Sequence, residues 1–366
     1  MITQDEFLDY KTLSVRKALF RDVNLNDSFF DSLKRDYEEF EKWFERKAKE
    51  EAYTLTGDTG QLLAFLFLKI EGPNEPYPDI TPSFCPAKRL KVGTFKVDRR
   101  GQRLGERFIK IIFDNALSND VDEIYVTIFE RTEEQKLLVA MLCDWGFVKY
   151  GIKLTGESVY VRKLVPAVDI KFPKKTFPFV SKLAPAYLTP IYPEYHTELF
   201  PDSILKTESP IDFKESSPHR NAIEKIFISR SIERNLNVGD LVFFYRTGEK
   251  GRSALYSAVV TTVGVVTGVK KHISSEDEFV QLCKNRTALN QEDLKKWWKE
   301  KPYCRPFLVK FLHVASFKKR PNRKVLMDLN FPSMNEGPRG FTKLTESEIG
   351  HLISLSELNS KIFVNY

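Results

Sequence analysis

The chain has 366 residues, a formal net charge of +7 and a pI of about 9.0. That length favours two domains, and 42% hydrophobic residues with 13% aromatics are enough for a core in each. No apolar run reaches the length of a membrane-spanning helix, the longest being Leu62 to Leu68 before Lys69, so membrane partners are not expected. The stretch Met1 to Glu6 lacks the basic-then-apolar order of a signal peptide. Cys85, Cys143, Cys283 and Cys304 stand too far apart for a zinc motif, which fits free thiols in a reducing cytoplasm. The basic balance permits a polyanionic partner without proving one.

Val15 to Leu19 reads as a strand. Asp27 to Glu50 reads as helix in two pieces, with Tyr37, Phe40, Trp43, Phe44 and Ala48 spaced by three and four on one face. Ala52 to Thr56 and Leu62 to Ile70 are strands joined by the turn Gly57-Asp58-Thr59-Gly60. A loop stiffened by Pro73, Pro76, Pro78, Pro82 and Pro86 follows, and its length suggests function. Leu90 to Val97 is a strand, and Gln102 to Leu117 a helix with Leu104, Phe108, Ile111, Ile112 and Ala116 on one side. Ile124 to Phe129 is a strand, and Glu133 to Trp145 a helix ended by Gly146. Phe147 to Ile152 and Ser158 to Leu164 complete an α+β domain, residues 1–164, with a mixed sheet flanked by helices.

Residues 165–205 form a Pro-rich segment too apolar for a free linker, expected to pack over one or both domains. In 206–366, strands are expected at Lys225 to Ser229, Leu241 to Arg246, Ala254 to Val266 and Pro306 to Val314. Helices are expected at Glu276 to Lys284, Glu292 to Glu300 and Thr345 to Leu355. Short strands with helices between them predict a small β-barrel domain with flanking helices.

The first domain carries one motif with clear chemistry. Phe95-Lys96-Val97 runs into Arg99-Arg100-Gly101-Gln102-Arg103-Leu104-Gly105-Glu106. A strand feeding a glycine turn and then a helix leaves backbone N–H groups free at the helix start. With the helix dipole these bind pyrophosphate, and glycine lets the backbone approach closely. The arginines add charge beside the turn.

This stretch resembles motif A of the GNAT acetyltransferase family, Arg/Gln-x-x-Gly-x-Gly/Ala, with Arg100 and Gly105 at its ends and Arg103 where the middle glycine stands. Ile124 to Phe129, the helix through Ala140-Met141-Leu142, and Trp145-Gly146-Phe147 resemble the strand, helix and turn that follow in that family. The resemblance spans roughly residues 12 to 164. It implies two central strands that splay apart to admit acetyl-CoA. Phe95 and Val97 would then offer backbone groups to the pantetheine arm. Arg100, Gly101, Gln102, Arg103, Leu104 and Gly105 would hold the pyrophosphate. A backbone N–H near Val97 would polarise the thioester carbonyl. Many members carry a tyrosine acid four residues before the Gly of the Gly-Phe turn, where this chain has Leu142. Cys143, Tyr125 or a linker tyrosine are the substitutes, and Glu71 and Glu130 the candidate bases. Catalysis resting mainly on positioning is the other option.

Glu224 to Arg230 and then Gly239-Asp240-Leu241-Val242-Phe243-Phe244-Tyr245-Arg246 resemble a PUA-like domain of the ASCH or EVE type, without the compact Gly-x-Lys signature of typical ASCH domains. Members commonly bind RNA or a modified base. Nucleic-acid binding needs cations for phosphates and flat side chains for bases. Lys318, Lys319, Arg320, Arg323 and Lys324 supply the first, and Trp297 and Trp298 are candidates for the second.

The sequence therefore leads to an acetyl-CoA-dependent N-acetyltransferase whose acceptor amine sits on RNA, aminoacyl-tRNA or a nucleic-acid-associated protein. A toxin or defence role enters only by analogy. Two alternatives stay open: a non-enzymatic RNA-binding regulator with a degenerate first domain, and a small-molecule or protein acetyltransferase whose C-terminal domain docks.

Overall fold

The computed structural model describes residues 15–57, 59–98, 103–203 and 218–365. The chain divides into two compact units, one comprising Met1–Ala140, Phe147–Leu164 and Thr207–His219, the other Met141–Gly146, Val165–Lys206 and Arg220–Tyr366.

The strands of the first unit are β1 (Arg16–Leu19), β2 (Glu51–Thr56), β3 (Leu62–Glu71), β4 (Ile80–Thr81), β5 (Arg89–Val97), β6 (Glu123–Ile128), β7 (Val148–Lys153) and β8 (Ser158–Lys163). They form one mixed sheet in the order β1-β2-β3-β5-β6-β8-β7-β4. Its helices are α1 (Asp31–Asp36), α2 (Phe40–Arg46), α3 (Leu104–Ser118) and the first part of α4 (Glu133–Asp144), whose residues from Met141 on belong to the second unit. The helix pair expected over 27–50 is shorter than its periodicity suggests, because Tyr37 turns extended at φ −133° and ends α1. Phe20, Phe30, Phe44, Phe65 and Phe67 pack together beneath this pair, Phe20 edge-on to Phe65 and Phe67 and Phe30 edge-on to Phe44 and Phe65. Full burial of such a ring stabilises the fold by roughly 2–3 kcal/mol. On α3, Leu104, Phe108, Ile112 and Ala116 are buried as their spacing predicts.

The second unit contains β9 (Val180–Ser181), β10 (Ala186–Ile191), β11 (Glu224–Ser229), β12 (Leu241–Arg246), β13 (Val259–Lys270), β14 (Phe307–Ser316), β15 (Thr342–Lys343) and β16 (Phe363–Val364). Its helices are α5 (Pro173–Thr176), α6 (Pro193–Leu199), α7 (Ala254–Ser257), α8 (Glu276–Cys283), α9 (Gln291–Glu300), α10 (Arg323–Asp328) and α11 (Glu346–Leu355). The main sheet runs β11-β14-β13-β12-β10-β15, and β9 pairs separately with β16. One face carries Phe200, Phe244 and Phe311, and the other packs Ile226 and Leu308 against Phe279 and Trp298 of α8 and α9. Thr345 and Glu348 close a reciprocal capping box that starts α11 where the sequence predicts it.

Two details differ from expectation. The small barrel is an open ladder. At one end β15 pairs only through Thr342 and Lys343, too short to recruit another strand, and at the other the outward N–H of Ile226 in β11 is taken by the Arg286 carbonyl. The Pro-rich segment also contributes a sheet strand, since β10 lies between β12 and β15 and runs parallel to β12.

Candidate functional site

The first site forms where β5 and β6 part. They pair in parallel only from Arg89 opposite Glu123 to Val92 opposite Val126. Beyond that, Thr94 to Val97 pair with β3 alone and Thr127 and Ile128 with β8 alone. The cause is local. Gly93 is an extra residue in β5, skipped in the register between Val92 and Thr94, and a bulge bends its strand. A Cβ at Gly93 would lie 2.7 Å from the Phe67 ring, so the close approach requires glycine. The inner edge of Phe95 and Val97 is thereby left outside the β6 ladder.

Downstream, α3 begins at Leu104. Its N-cap, Arg103, sits in the left-handed region at φ 56° and supplies no side-chain cap, its guanidinium pairing with Glu106. A positive φ is a conformation that glycine adopts more readily than arginine, so Arg103 holds a backbone shape suited to glycine. Leu104 and Gly105 belong to the first turn of α3. Arg100, Gly101 and Gln102, with Arg99, lie outside the described residues.

A polar cavity of about 140 Å³ lies beside the stretch where β5 and β6 still pair, lined by Glu71, Tyr77, Lys91, Tyr125, Thr127 and Lys153 among others. Glu71, at the end of β3, is 2% exposed. Its Oε2 accepts from Tyr125 Oη at 2.7 Å and Tyr77 Oη at 2.9 Å, and its Oε1 from Lys69 Nζ at 3.1 Å. Burial alone would raise the Glu71 pKa, but the Tyr125 bond, the Lys91 charge and the bonds from Lys69 and Tyr77 outweigh it and hold the carboxyl below its ordinary range. Burial and the same carboxylate hold the Tyr125 phenol far above its ordinary range and push Tyr77 up to about 12. Lys91 faces Tyr125 across the parallel pairing, and burial pushes its amine down. Beside the cavity, buried Glu157 accepts from Thr127 at 2.9 Å, Tyr37 at 3.1 Å and Thr155 at 2.7 Å. The proline loop supplies Glu75, Tyr77 and Asp79 to the cavity, held in place by buried Arg89, which lies over the Phe84 ring at 4.2 Å and bonds Glu123 at 2.9 Å.

Of the catalytic candidates, the fold brings Glu71 and Tyr125 into direct contact. Glu130 sits elsewhere, accepting from Lys149 at 3.0 Å and Tyr160 at 3.1 Å. Bonds from Ser158 and Lys149 lower its carboxyl too. Cys143 is exposed on α4 and Leu142 fully buried; neither lines the cavity. Sequence reasoning missed Lys91, Tyr77 and Glu157. The only advance signal was the proline loop that carries Tyr77.

In the second unit, a mostly apolar cavity of about 330 Å³ is walled by Tyr192, Tyr195, Phe227, Ile228 and Trp297. The Arg230 guanidinium stacks on Trp297 at 4.4 Å and bonds Glu300 at 2.8 Å. The fully buried Thr189 hydroxyl in this wall has no hydrogen-bond partner among the described residues. Trp298 is core instead of a surface platform, 7% exposed between Phe279 and Arg305, because it lies on the sheet-facing side of α9. In the basic run, Lys318 and Lys319 are exposed and Arg320 half-buried. Arg323 ties down the Met334 and Asn335 carbonyls, and Lys324 pairs with Asp328. Among the described residues there is no group of three or more metal-ligating side chains, and no helix long and apolar enough to cross a membrane.

No protein-family profile and no curated protein matches this sequence. Solved structures are similar to parts of the chain, among them the following two. A GNAT-family acetyltransferase from Listeria monocytogenes 4b F2365 shares 15% identity, covering 42% of this chain and 95% of its own, with a TM-score of 0.27. Human THYN1, solved in complex with 5-methylcytosine-containing DNA, shares 15% identity, covering 48% of this chain and 99% of its own, with a TM-score of 0.27.

Proposed function

We propose that the first unit is an acetyl-CoA-dependent N-acetyltransferase. The observation that carries this reading is the parting of β5 from β6 beyond Val92 and Val126, beside the start of α3. The Phe95–Val97 edge would hold the pantetheine arm, and the turn through Arg100 to Gly105 the pyrophosphate. Acetyl-CoA supplies an activated acetyl group and a thiolate leaving group. The backbone N–H near Val97 would stabilise negative charge on the carbonyl oxygen. An ammonium acceptor must lose a proton before it attacks. Glu71 and Glu130 are held ionised below the range useful to a general base near neutrality. We therefore assign Glu71 and its tyrosines to orienting the amine, with the proton leaving through water, and catalysis to positioning. Cys143 is exposed on α4 and has no role in this scheme.

For the second unit we propose nucleic-acid binding. Lys318 and Lys319 would meet phosphates, and the cavity beside Trp297 and Arg230 would take a base. The amine acceptor would then be RNA, an aminoacyl-tRNA or a protein bound to nucleic acid. Isothermal titration of the full chain with acetyl-CoA tests the central claim. Saturable binding is expected, and no heat at millimolar acetyl-CoA would remove the transferase reading.

A further inference from the structure

Strands from separate parts of the second ladder meet at its apolar cavity. β10 contributes Thr189–Ile191, the stretch left bare because β15 pairs only with Tyr187 and Leu188. β11 contributes Ile226 to Ser229. The Ile223 carbonyl accepts from His313 N–H, so the odd-numbered residues of β11 point at β14 while Glu224, Ile226 and Ile228 point away from it. The outward N–H of Ile226 goes to the Arg286 carbonyl. The outward N–H and C=O of Ile228 have no hydrogen-bond partner among the described residues. Nor, among them, has Thr189 Oγ1, in a residue 0% exposed, or Arg230 Nε, in a side chain 11% exposed. Polar groups withheld from water are normally paired, so unpaired groups on three residues around one apolar cavity call for a partner from outside.

We infer that this cavity holds an uncharged nucleobase by its pairing edge. The Ile228 N–H donates to a ring acceptor, the Ile228 C=O accepts from the neighbouring N–H of the base, and the Thr189 hydroxyl is a further partner. This rests on the base-binding reading of the cavity and adds which edge is read. Charge decides against a phosphate inside: the Arg230 guanidinium already bonds Glu300 at 2.8 Å and the Trp297 carbonyl. The strand edge decides against a peptide. A chain added to β11 would pair at Glu224, Ile226 and Ile228 in turn, and Arg286 occupies the middle position. One free N–H and C=O pair on a single residue suits a base, whose pairing edge sets a donor beside an acceptor. Trp297, with the Arg230 guanidinium over it at 4.4 Å, and the rings of Tyr192 and Tyr195 supply flat walls. The volume, about 330 Å³, lies at the small end for small-molecule sites. The base must arrive unpaired, since a complementary strand would occupy the same edge.

The test is a ligand-observed NMR titration of the full chain with adenosine, cytidine, guanosine and uridine. Each is run beside its analogue N-methylated at the pairing edge, 3-methyluridine in the case of uridine. At least one nucleoside is expected to bind, and its methylated analogue at least about tenfold more weakly, the scale of a buried carbonyl left without its donor. Thr189→Val removes a buried hydroxyl that the described residues leave unpaired, so thermal melts should show stability unchanged or raised while nucleoside binding falls. Trp297→Ala, shown to be folded by far-ultraviolet circular dichroism, should lose binding. Equal binding of a nucleoside and its methylated analogue, or wild-type binding by Thr189→Val, overturns the edge assignment and leaves the base reading standing. Binding that survives in folded Trp297→Ala, or no binding by any of the four, removes the base reading and the inference together.

Discussion

Glu71 is almost fully buried and yet ionised, and the tyrosines and lysines around it are the reason. A carboxyl whose pKa is lower folded than unfolded contributes stability that is present above the unfolded value and lost as pH falls through the folded one. Glu71→Gln should therefore destabilise the chain at neutral pH by about 1.5–3 kcal/mol, since it leaves buried donors without a charged acceptor. The gap from wild type should narrow at acidic pH, as the medium falls below the ordinary glutamate range and through the lowered native value. Urea midpoints at the two pH values check this, and an unchanged gap would show that Glu71 is not the group responsible. Two residues of this cluster, Glu71 and Tyr125, are legible in the sequence because each stands at a strand position with reactive chemistry. Lys91 and Glu157 are not. A lysine in a strand and a glutamate after a glycine read as solvated until the fold shows what faces them.

Long elements are legible because periodicity survives in them. The α3 stripe, the β3 run and the division of 27–50 into two helices come through as expected, whereas the place of the break, at Tyr37, does not, since no proline or glycine marks it. Tyr37 leaves the helix and its hydroxyl reaches Glu157 at 3.1 Å, a contact 120 residues away in sequence. The bulge at Gly93 is equally silent: one glycine inside a strand permits a bulge without requiring one. If this bulge sets the divergence of β5 from β6, then Gly93→Val must push against Phe67. A loss of about 1–3 kcal/mol is expected from overpacking, with weaker acetyl-CoA binding in the folded fraction. Calorimetry and denaturation on Gly93→Val and on Gly93→Val/Phe67→Leu measure both effects. Recovery in the double variant would locate the cause in that contact.

For the molecule as a whole, the excess of +7 charges is legible in the sequence, but its distribution is not. Five cations in the 318–324 run read alike on paper. In the fold Arg323 and Lys324 have structural partners, while Lys318 and Lys319 face solvent, Lys319 with Glu357 at 3.8 Å. Replacing Lys318 and Lys319 with glutamine should weaken binding to a single-stranded RNA oligonucleotide and flatten its salt dependence by about one unit of slope per lysine. A fluorescence-anisotropy salt series measures this, and an unaltered slope would place the phosphate contacts elsewhere. Short strands with helices between them suggest a barrel, but that pattern does not say whether the first and last strands meet.

Because neither ladder closes on itself, each has ends, and unpaired strand ends are templates for uncontrolled association between copies. Here β4 and β15 are two residues long and β1 is four, lengths that offer little backbone for another chain to extend. The six-residue β11 has Ile226 N–H occupied by Arg286, and Glu224 at its start pairs with Arg286 and Lys174. The same features that leave the second sheet open therefore also protect it from growing into aggregates.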